Sequence, residues 1–348
     1  MRSTSLRYIS NTMKLSIIIP MYNARDFIGG CLESLSNIGL PMSDFEAVIV
    51  NDGSQDDGGD VVRSYMGGDL QIQYIEQENG GPGVARNTGI KVATGDYIFY
   101  LDSDDFVFEG SLGKAVAAAE GLGLDVLEFR RVAGPEEKLK AYKASSGESV
   151  TEVVDGYRYL CEDVSGFVTA YLYSRDFVME HGIIFEDIFG TEDICYTRAA
   201  LVRAKRVACM PELEVYAYVD REDSIVHKGG HRKYRRYADG MFKTTTCLRN
   251  MLSEYPDLPP VALDLLKRRV DNYVFFLLIR AWRFYPLKYA RETYTKFKDA
   301  GFLPVGRLLK YWTEGFKWEV LKYIVNHRAL FFLTMPLARC FGKYQFKL

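Results

Sequence analysis

The sequence predicts an α/β fold in which a doubly wound, mainly parallel sheet is followed by a helical extension at the C-terminus. Three observations lead to this prediction. Apolar, β-branched runs recur in the first half of the chain, amphipathic helical patterns separate them, and the patterns from about residue 231 onward are long and helical. Continuous apolar runs are typical of parallel strands covered on both faces, and strand–helix–strand repeats predict right-handed crossovers.

The predicted elements alternate along the chain. Strands are predicted at 14–20, 45–52, 72–77, 96–102 and 213–220, and helices at 24–36, 56–66, 83–93, 176–182 and 191–204. The polar, turn-rich stretch 134–149 is expected to be an exposed excursion. In sheets of this kind ligands bind beyond the carboxyl ends of the strands, and Asp52 and Asp102 both stand at such ends.

The length and charge of the chain limit its organisation and its partners. At 348 residues it has room for one large domain and a smaller one. We predict a disordered or non-native extension at 1–13, an α/β domain at 14–230 and a basic, aromatic helical region at 231–348. The net charge of -2 excludes a generally basic nucleic-acid binder. Six cysteines without a C-x-x-C pair are expected to be reduced thiols of a cytoplasmic protein.

Two polar motifs follow predicted strands. In "NDGSQDD", Asp52 suits either a turn with a helix cap or an acceptor for the N–H and hydroxyl groups of a ligand. In "ENGGPGVARNTGI", Gly80 and Gly81 permit unusual backbone angles before a helix start. The free N–H groups of that helix start favour an anion, and Arg86 and Asn87 lie one turn further on.

The stretch "YLDSDDF" places three carboxylates, Asp102, Asp104 and Asp105, directly after an apolar strand. One interpretation is a solvated loop or a helix cap. Like charges this close repel each other unless something compensates, and no Lys or Arg lies nearby in the sequence. Mg²⁺ or Mn²⁺, which prefer carboxylate and phosphate oxygens, would compensate directly. We therefore predict a divalent-cation site here.

Further along, "FGTEDICYTRAAL" places Glu192 and Asp193 at the front of a predicted helix. Acids in a first turn interact favourably with the helix dipole, so capping is one interpretation. The other is a general base that removes a proton from an acceptor hydroxyl.

Together, five segments and one more distant one resemble the bacterial family 2 glycosyltransferases, the inverting enzymes with a GT-A fold that build capsules, exopolysaccharides and O-antigens. The segments are "SIIIPMYNA", "VIVNDGSQDD", "NGGPGVARNTGI", "YIFYLDSDD", "GTEDICYTRAAL" and "YAYVDREDSIVH", which span about 14–227. Each motif alone is weak evidence for the family, whereas five motifs in this order and at plausible spacing are specific for it.

The resemblance implies a role for individual residues in binding a nucleotide-diphosphate sugar, commonly a UDP-sugar. Tyr22, Asp52 and Arg86 match positions that bind the base and ribose. The remaining predicted donor-site residues are Pro20, Asn23, Gly80, Asn87, Asp102, Ser103 and Arg221.

The resemblance also implies the metal and catalytic residues. Asp102 and Asp104 match the D-x-D pair that holds Mn²⁺ or Mg²⁺, with Asp104 the direct ligand, and His227 is a candidate third ligand. Asp193, beside Glu192, matches the catalytic base. The implied reaction is a single in-line displacement onto a glycan or lipid-linked acceptor, which inverts the anomeric carbon.

The C-terminal region lies outside this resemblance. From Phe302 to the end there are eight Lys or Arg against two acids, mixed with Trp, Phe and Leu, and the longest uncharged apolar run is too short to span a bilayer. Two interpretations are compatible: a helical subdomain packed on the core, or peripheral contact with the anionic inner face of the plasma membrane.

Three other functions compete with this prediction. A non-catalytic relative that binds nucleotide sugars or glycans is the main alternative, although the four acids at 52, 102, 104 and 193 are all present. A sugar-nucleotide pyrophosphorylase lacks support because its glycine-rich opening motif is absent. Hydrolysis by a carboxylate pair is less favoured, because a helix start suited to anions indicates a phosphorylated donor.

Overall fold

The computed structural model describes residues 13–160, 164–221, 231–255, 258–309 and 315–340, the side chains of 231–233 and 339–340 excepted. The chain forms two compact units. The first contains the described parts of 1–159, 165–186 and 200–221, and the second those of 160–164, 187–199 and 222–348. The segment 187–199 thus groups with the C-terminal helices. The boundary at residue 230 stays a prediction, and residues 1–12 lie outside the described parts of the chain.

The first unit contains an eight-stranded sheet in the order β3-β2-β1-β4-β7-β6-β8-β5. The first four strands are parallel to one another, whereas β7 runs antiparallel to both of its neighbours. The sheet is therefore mixed and mainly parallel over the half that was predicted. The strands are β1 (Leu15–Met21), β2 (Phe45–Asn51), β3 (Gln71–Glu76), β4 (Tyr97–Tyr100), β5 (Phe106–Val107), β6 (Val126–Gly134), β7 (Tyr171–Ser174) and β8 (Val207–Val219).

The helices alternate with these strands and then continue alone to the C-terminus. In chain order the helices are α1 (Arg25–Ser34), α2 (Gly58–Tyr65), α3 (Pro82–Val92), α4 (Ser111–Leu122), α5 (Glu136–Lys140), α6 (Gly156–Tyr159), α7 (Arg175–Glu180), α8 (Glu192–Arg203), α9 (His231–Glu254), α10 (Pro260–Phe284), α11 (Leu287–Asp299), α12 (Phe316–Asn326) and α13 (Arg328–Cys340).

The core of the first unit explains why these segments form strands. Every residue of β1 and β2 is buried, as expected for parallel strands covered on both faces. The apolar face of α1, with Ile28, Cys31 and Leu32, packs into the same cluster. The predicted alternation of strands and helices up to residue 102 is therefore confirmed.

Several elements of the sheet region were not predicted, among them α4, β5, β6 and β7. They complete the second half of the sheet, where β6 pairs with both β7 and β8. The pairing of β6 with β8 shifts register around Arg130, after which Arg131 lies opposite Tyr216. The stretch 134–149 is more ordered than expected, because it contains α5 and is tied to β8 through Glu214, which accepts hydrogen bonds from Tyr142 and from the Ser145 N–H.

The second unit is helical over its described residues. Its core is rich in aromatic side chains, with Phe275, Tyr294 and Phe297 fully or almost fully buried, and α10 is packed against α9, α11 and α13. The predicted long, aromatic helices are confirmed. Within the described residues, no helix is both long and apolar enough to cross a membrane.

Candidate active site

The ends of β1, β2 and β4 bring the predicted site residues of the first unit to one edge of the sheet. The Asp52 N–H donates to the Met21 carbonyl (2.8 Å), and the Leu101 N–H donates to the Ile18 carbonyl (3.1 Å). The loops that follow the three strands therefore start side by side. Asp52 and Asp102 lie in two of these loops, as the parallel pattern predicted.

Asp52 organises the glycine-rich loop before α3. Its side chain is buried, with Oδ1 accepting from the Gly80 N–H (2.9 Å) and Gln77 Nε2 (2.8 Å), and Oδ2 accepting from the Gly81 N–H (2.7 Å). Gly81 has φ = 90°, which L-residues rarely adopt. Neither sequence interpretation included this role. A carboxylate oxygen accepts about two hydrogen bonds. Because Oδ2 accepts one from Gly81, it can accept a second from a ligand, and the predicted contact of Asp52 with a ligand stays a prediction.

We expect Asp52→Asn to destabilise the protein by about 2 kcal/mol, because the amide NH₂ would face one of the loop's N–H donors and leave it without an acceptor. Chemical denaturation at pH 7 measures this change. Asp57→Asn is the matched control, since Asp57 is exposed and only pairs with Arg25 at 3.6 Å; its effect should stay within about 0.5 kcal/mol. Equal stability of the two variants would contradict the role of Asp52.

The end of β1 holds three predicted donor residues. Pro20 is buried within the strand, whereas the Tyr22 side chain is 52% exposed. Asn23, at φ = 49°, ties this loop to the next one: its N–H donates to Ser54 Oγ (3.0 Å), and its Oδ1 accepts from the Gln55 N–H (2.7 Å). The exposed Tyr22 ring is free to stack on a planar group, and its assignment to the base stays a prediction.

Arg86 and Asn87, one turn into α3, both have partners within the first unit. Arg86 is buried, and its Nη2 lies 2.7 Å from Asp102 Oδ1. The Arg86 guanidinium also faces the Phe185 ring at 5.2 Å. Asn87 donates to the Phe185 carbonyl and accepts from its N–H, both at 2.8 Å. In this structure Arg86 holds Asp102 and Asn87 holds Phe185, while their contacts with a donor stay predictions.

The acidic loop is compensated in part by two arginines that are distant in sequence, whereas the sequence had indicated a divalent cation alone. Arg86 pairs with Asp102, and Arg221 Nη2 donates to the Asp104 carbonyl (2.8 Å), with its Nε 4.0 Å from Asp104 Oδ2. Arg221 also stacks on the Phe27 ring at 4.0 Å and lies 3.3 Å from Glu136. The predicted site residue Arg221 is thus anchored beside the acids.

The three acids of this loop differ in environment. Asp105 is buried, and its carboxylate accepts from the Tyr216 hydroxyl and the Val219 N–H. Burial, and then the charges of Asp102 and Asp104, raise the pKa of Asp105 to about 8. Asp104 is 47% exposed at its side chain, and loss of hydration followed by the charge of Asp102 raises its pKa. Asp104 is therefore the carboxylate that faces solvent.

The residues present fit a cation held jointly with a substrate. Among the described residues, no group of three His, Cys, Asp or Glu side chains is arranged to hold a metal ion. Mg²⁺ is usually held by one or two carboxylates together with substrate phosphates. Asp104 and the half-buried Asp102 offer such a pair, next to the buried Ser103. His227 lies outside the described residues.

Glu192 and Asp193 begin α8, as predicted, and their environment belongs to the second unit. The preceding residue, Thr191, shares a 2.8 Å hydrogen bond with Thr244 of α9. Glu192 is buried and Asp193 is partly exposed. The helix start is thus fixed against α9 and presents Asp193 partly to solvent.

Two residues that shape the acidic site were not singled out from the sequence. Tyr216 bridges the acidic loop, because its hydroxyl donates to Asp105 and accepts from the Asp102 N–H (3.3 Å). Phe185 lies under Arg86. The only signal for Tyr216 was its place in the Y-x-Y pattern of the strand predicted at 213–220.

Comparison with known proteins gives a family match and several relatives. The profile of "Glycosyl transferase family 2" matches residues 16–182. The uncharacterized glycosyltransferase EpsJ of Bacillus subtilis (strain 168) is 34% identical over 223 residues, which are 61% of this chain and 62% of EpsJ, so the match spans less than two thirds of that relative. The uncharacterized glycosyltransferase YibD of Escherichia coli (strain K12) is 30% identical over 262 residues, 72% of this chain and 74% of YibD.

Two solved structures share the fold. S. aureus TarS 1-349 in complex with UDP-GlcNAc superposes with a TM-score of 0.66 at 20% identity, covering 96% of this chain and 93% of that one. The mannosyltransferase PcManGT from Pyrobaculum calidifontis, in complex with GDP-Man and Mn²⁺, has a TM-score of 0.56 at 17% identity, with 95% and 88% covered. The predicted GT-A fold with C-terminal helices is confirmed.

Proposed function

Because the chain belongs to glycosyl transferase family 2, we propose that it moves a sugar from a nucleotide-diphosphate sugar, a UDP-sugar, to a hydroxyl of a cell-surface polysaccharide or glycolipid. The observation that carries the proposal is the half-exposed Asp104 between the Arg86–Asp102 pair and Arg221. Solved relatives of this fold hold UDP-GlcNAc in one case and GDP-Man in another, which supports a nucleotide-sugar donor.

The donor would bind along the carboxyl edge of β1, β2 and β4. Tyr22 offers an exposed ring for the base, and Oδ2 of Asp52 offers an acceptor for an N–H or hydroxyl group. The diphosphate would lie towards the start of α3, where the helix dipole favours an anion. Arg221 adds a positive charge beside Asp104.

Asp104 and Asp102, with His227 as a third candidate, would hold Mn²⁺ or Mg²⁺ together with the diphosphate oxygens. When bound, such a cation supplies positive charge that stabilises the negative charge growing on the leaving nucleoside diphosphate. The structure of PcManGT with Mn²⁺ supports a divalent cation in this fold.

The protein's own residues would carry the rest of the reaction. Asp193, flanked by Glu192, accepts the proton of the acceptor hydroxyl and so raises its nucleophilicity. That oxygen attacks the anomeric carbon from the face opposite the diphosphate, and a single displacement inverts the configuration. Positioning of the two substrates supplies much of the rate.

A thermal-shift and activity screen of UDP-, GDP- and dTDP-sugars, each with Mn²⁺ and Mg²⁺, tests the proposal. We expect a UDP-sugar with metal to raise Tm and to release UDP in the presence of an acceptor. Binding without any transfer would instead indicate a non-catalytic relative. No response to any nucleotide sugar would contradict the proposal.

We further propose peripheral contact between the second unit and an anionic membrane surface, which would suit a lipid-linked acceptor. Helix α12 exposes Phe316, Val320 and Tyr323, and α13 exposes Leu333 and Leu337. The spacings of four and three residues place each set along one stripe of its helix. Exposed basic residues accompany them, namely Lys317 and Arg328. Apolar stripes with neighbouring cations match the chemistry of an anionic bilayer surface.

We expect Leu333→Glu to lower the partition of the full chain onto phosphatidylglycerol vesicles about tenfold, since it removes one apolar contact and adds a repelled charge. Cosedimentation measures this partition. Val261→Glu is the matched control, because Val261 is also an exposed apolar residue of the second unit but lies on α10. Equal losses in both variants, or equal binding to neutral phosphatidylcholine vesicles, would contradict the membrane surface.

A further inference from the structure

Arg131 is a cation surrounded by rings rather than by acids. Its guanidinium carbon lies 4.1 Å from the ring centre of Phe167, 5.1 Å from that of Tyr216 and 5.2 Å from that of Tyr218. The Phe167 side chain is 56% exposed, so one side of this cage opens to solvent. We call Arg131, Phe167, Tyr216 and Tyr218 the β6–β8 cage.

The hydrogen-bonding capacity of the Arg131 side chain is unused within the described chain. Its Nε is buried without an acceptor, and among the described residues no carboxylate forms an ion pair with it. A guanidinium carries five N–H donors, and the faces of aromatic rings hold the charge without occupying the in-plane donors. The neighbouring Arg130 differs, because it is exposed and pairs with Glu214 at 3.7 Å.

The cage is directly connected to the acidic loop but is built from other strands. The Tyr216 hydroxyl, on the ring that faces Arg131, donates to Asp105 and accepts from the Asp102 N–H. Tyr22, Asp52 and Asp102 of the proposed donor site follow β1, β2 and β4, and Arg221 follows β8, whereas Arg131 lies within β6, and Tyr216 and Tyr218 lie within β8. The cage therefore flanks the acidic loop but is formed by residues that the proposed donor site does not include.

We propose that Arg131 binds an anionic group of the acceptor, a phosphate or a carboxylate, and that Phe167 packs against the apolar face of the adjoining sugar or polyol. This inference rests on the proposed glycosyl transfer. The planar guanidinium fork matches both phosphate and carboxylate in a bidentate manner. An anion here would provide the acceptors that Arg131 lacks among the described residues.

Ligand-observed NMR on the full chain, saturated with UDP and Mg²⁺, tests the proposal with three probes: glycerol 1-phosphate, glucuronate and glucose. We expect one or both anions to bind and glucose to bind at least tenfold more weakly. Arg131→Gln should weaken anion binding at least tenfold. The affinity of Arg131→Lys should lie between those of the wild type and Arg131→Gln, because Lys keeps the charge among the rings but lacks the planar guanidinium fork. A preference for glycerol 1-phosphate would assign a phosphate acceptor, and one for glucuronate a carboxylate acceptor.

Arg130→Gln is the matched control, since it removes an adjacent arginine of the same strand, and it should leave anion binding unchanged. Equal anion binding by Arg131→Gln and the wild-type chain would overturn the proposal, as would anion binding that is seen without UDP and lost once UDP saturates the chain, which would assign the anions to the donor site. The UDP-sugar response of the same samples is a separate readout. If the wild-type chain shows no response to a UDP-sugar, the proposed function is contradicted. If that response is intact but anion binding does not depend on Arg131, only the anion site is contradicted.

Discussion

Replacement of Asp104 by Asn is expected to lower kcat/KM for sugar transfer by about 10²–10³-fold, the usual cost of removing one electrostatic contact to a developing charge. Asn keeps the size of the side chain but removes the negative charge. Asp104 is the acid of the loop that faces solvent, because Asp102 is paired with Arg86 and Asp105 is enclosed by Tyr216 and Val219. The measurement is steady-state kinetics with the donor that the screen identifies, at several Mn²⁺ concentrations.

The control for this variant is Glu109→Gln. Glu109 is an exposed acid that follows the same loop and accepts a hydrogen bond from Asn37, so the rate should not change. Treatment with EDTA should lower the wild-type rate, and added Mn²⁺ should restore it, whereas Asp104→Asn should stay slow at any Mn²⁺ concentration. Full activity of the variant, or of the wild-type chain in excess EDTA, would remove Asp104 from the proposed metal site.

The edge of the sheet could be predicted from sequence because its signals are local. The apolar runs that became β1 and β2 are unbroken, and parallel strands of this kind end at a common edge. That rule alone predicted that Asp52 and Asp102 lie at the same edge of the sheet. It could not show what the two carboxylates bind, because their partners depend on how the loops fold.

The compensation of the acids illustrates this limit. Arg86 precedes Asp102 by 16 residues, and Arg221 follows Asp104 by 117. No periodicity connects such positions, so the sequence indicated three acids without a neighbouring Lys or Arg. The structure shows instead that two arginines share the charge and that only Asp104 remains open. The cation site is still proposed for Asp104 and Asp102, the pair that the resemblance implied, and the structure adds that Asp104 is the more exposed of the two.

Two strands in the second half of the sheet, β6 and β7, were missed for a different reason. The strand β7 has only four residues, and β6 carries Glu128, Arg130 and Arg131 in its middle, so neither shows the apolar run that revealed β1. The register shift between β6 and β8 places Arg131 beside Tyr216. A bulge of this kind re-aims side chains, and no alternation in the sequence signals it.

The helix that begins at Glu192 was predicted correctly, but its surroundings were not. The sequence placed Thr191 and the two acids at a helix start by their dipole preference. The hydrogen bond between Thr191 and Thr244 comes from α9, more than fifty residues later. This contact fixes the first turn of α8, and so the direction in which Asp193 leaves the helix.

We expect Asp193→Asn to lower kcat by about 10²–10⁴-fold, the usual contribution of a general base, while the affinity for UDP with Mn²⁺ stays within about twofold. Asn has a similar shape but cannot accept a proton from the acceptor hydroxyl. The affinity for UDP therefore distinguishes the two residues, because loss of Asp104 should also weaken the metal-dependent binding of UDP. Steady-state kinetics together with calorimetric titration of UDP make the comparison.

The pH profile gives the more specific test of Asp193, because a base must be deprotonated to act. In the wild-type chain kcat should fall as the pH is lowered and the base becomes protonated, whereas Asp193→Asn should lose that contribution and keep only the fall set by the proposed metal-site acids, since the pKa of Asp104 is raised. The matched control is Asp187→Asn: Asp187 precedes the same helix, is 92% exposed and binds Lys243, so both rate and profile should match the wild type. If Asp193→Asn keeps the wild-type rate, or keeps the acidic limb of the wild type unchanged, another group removes the proton.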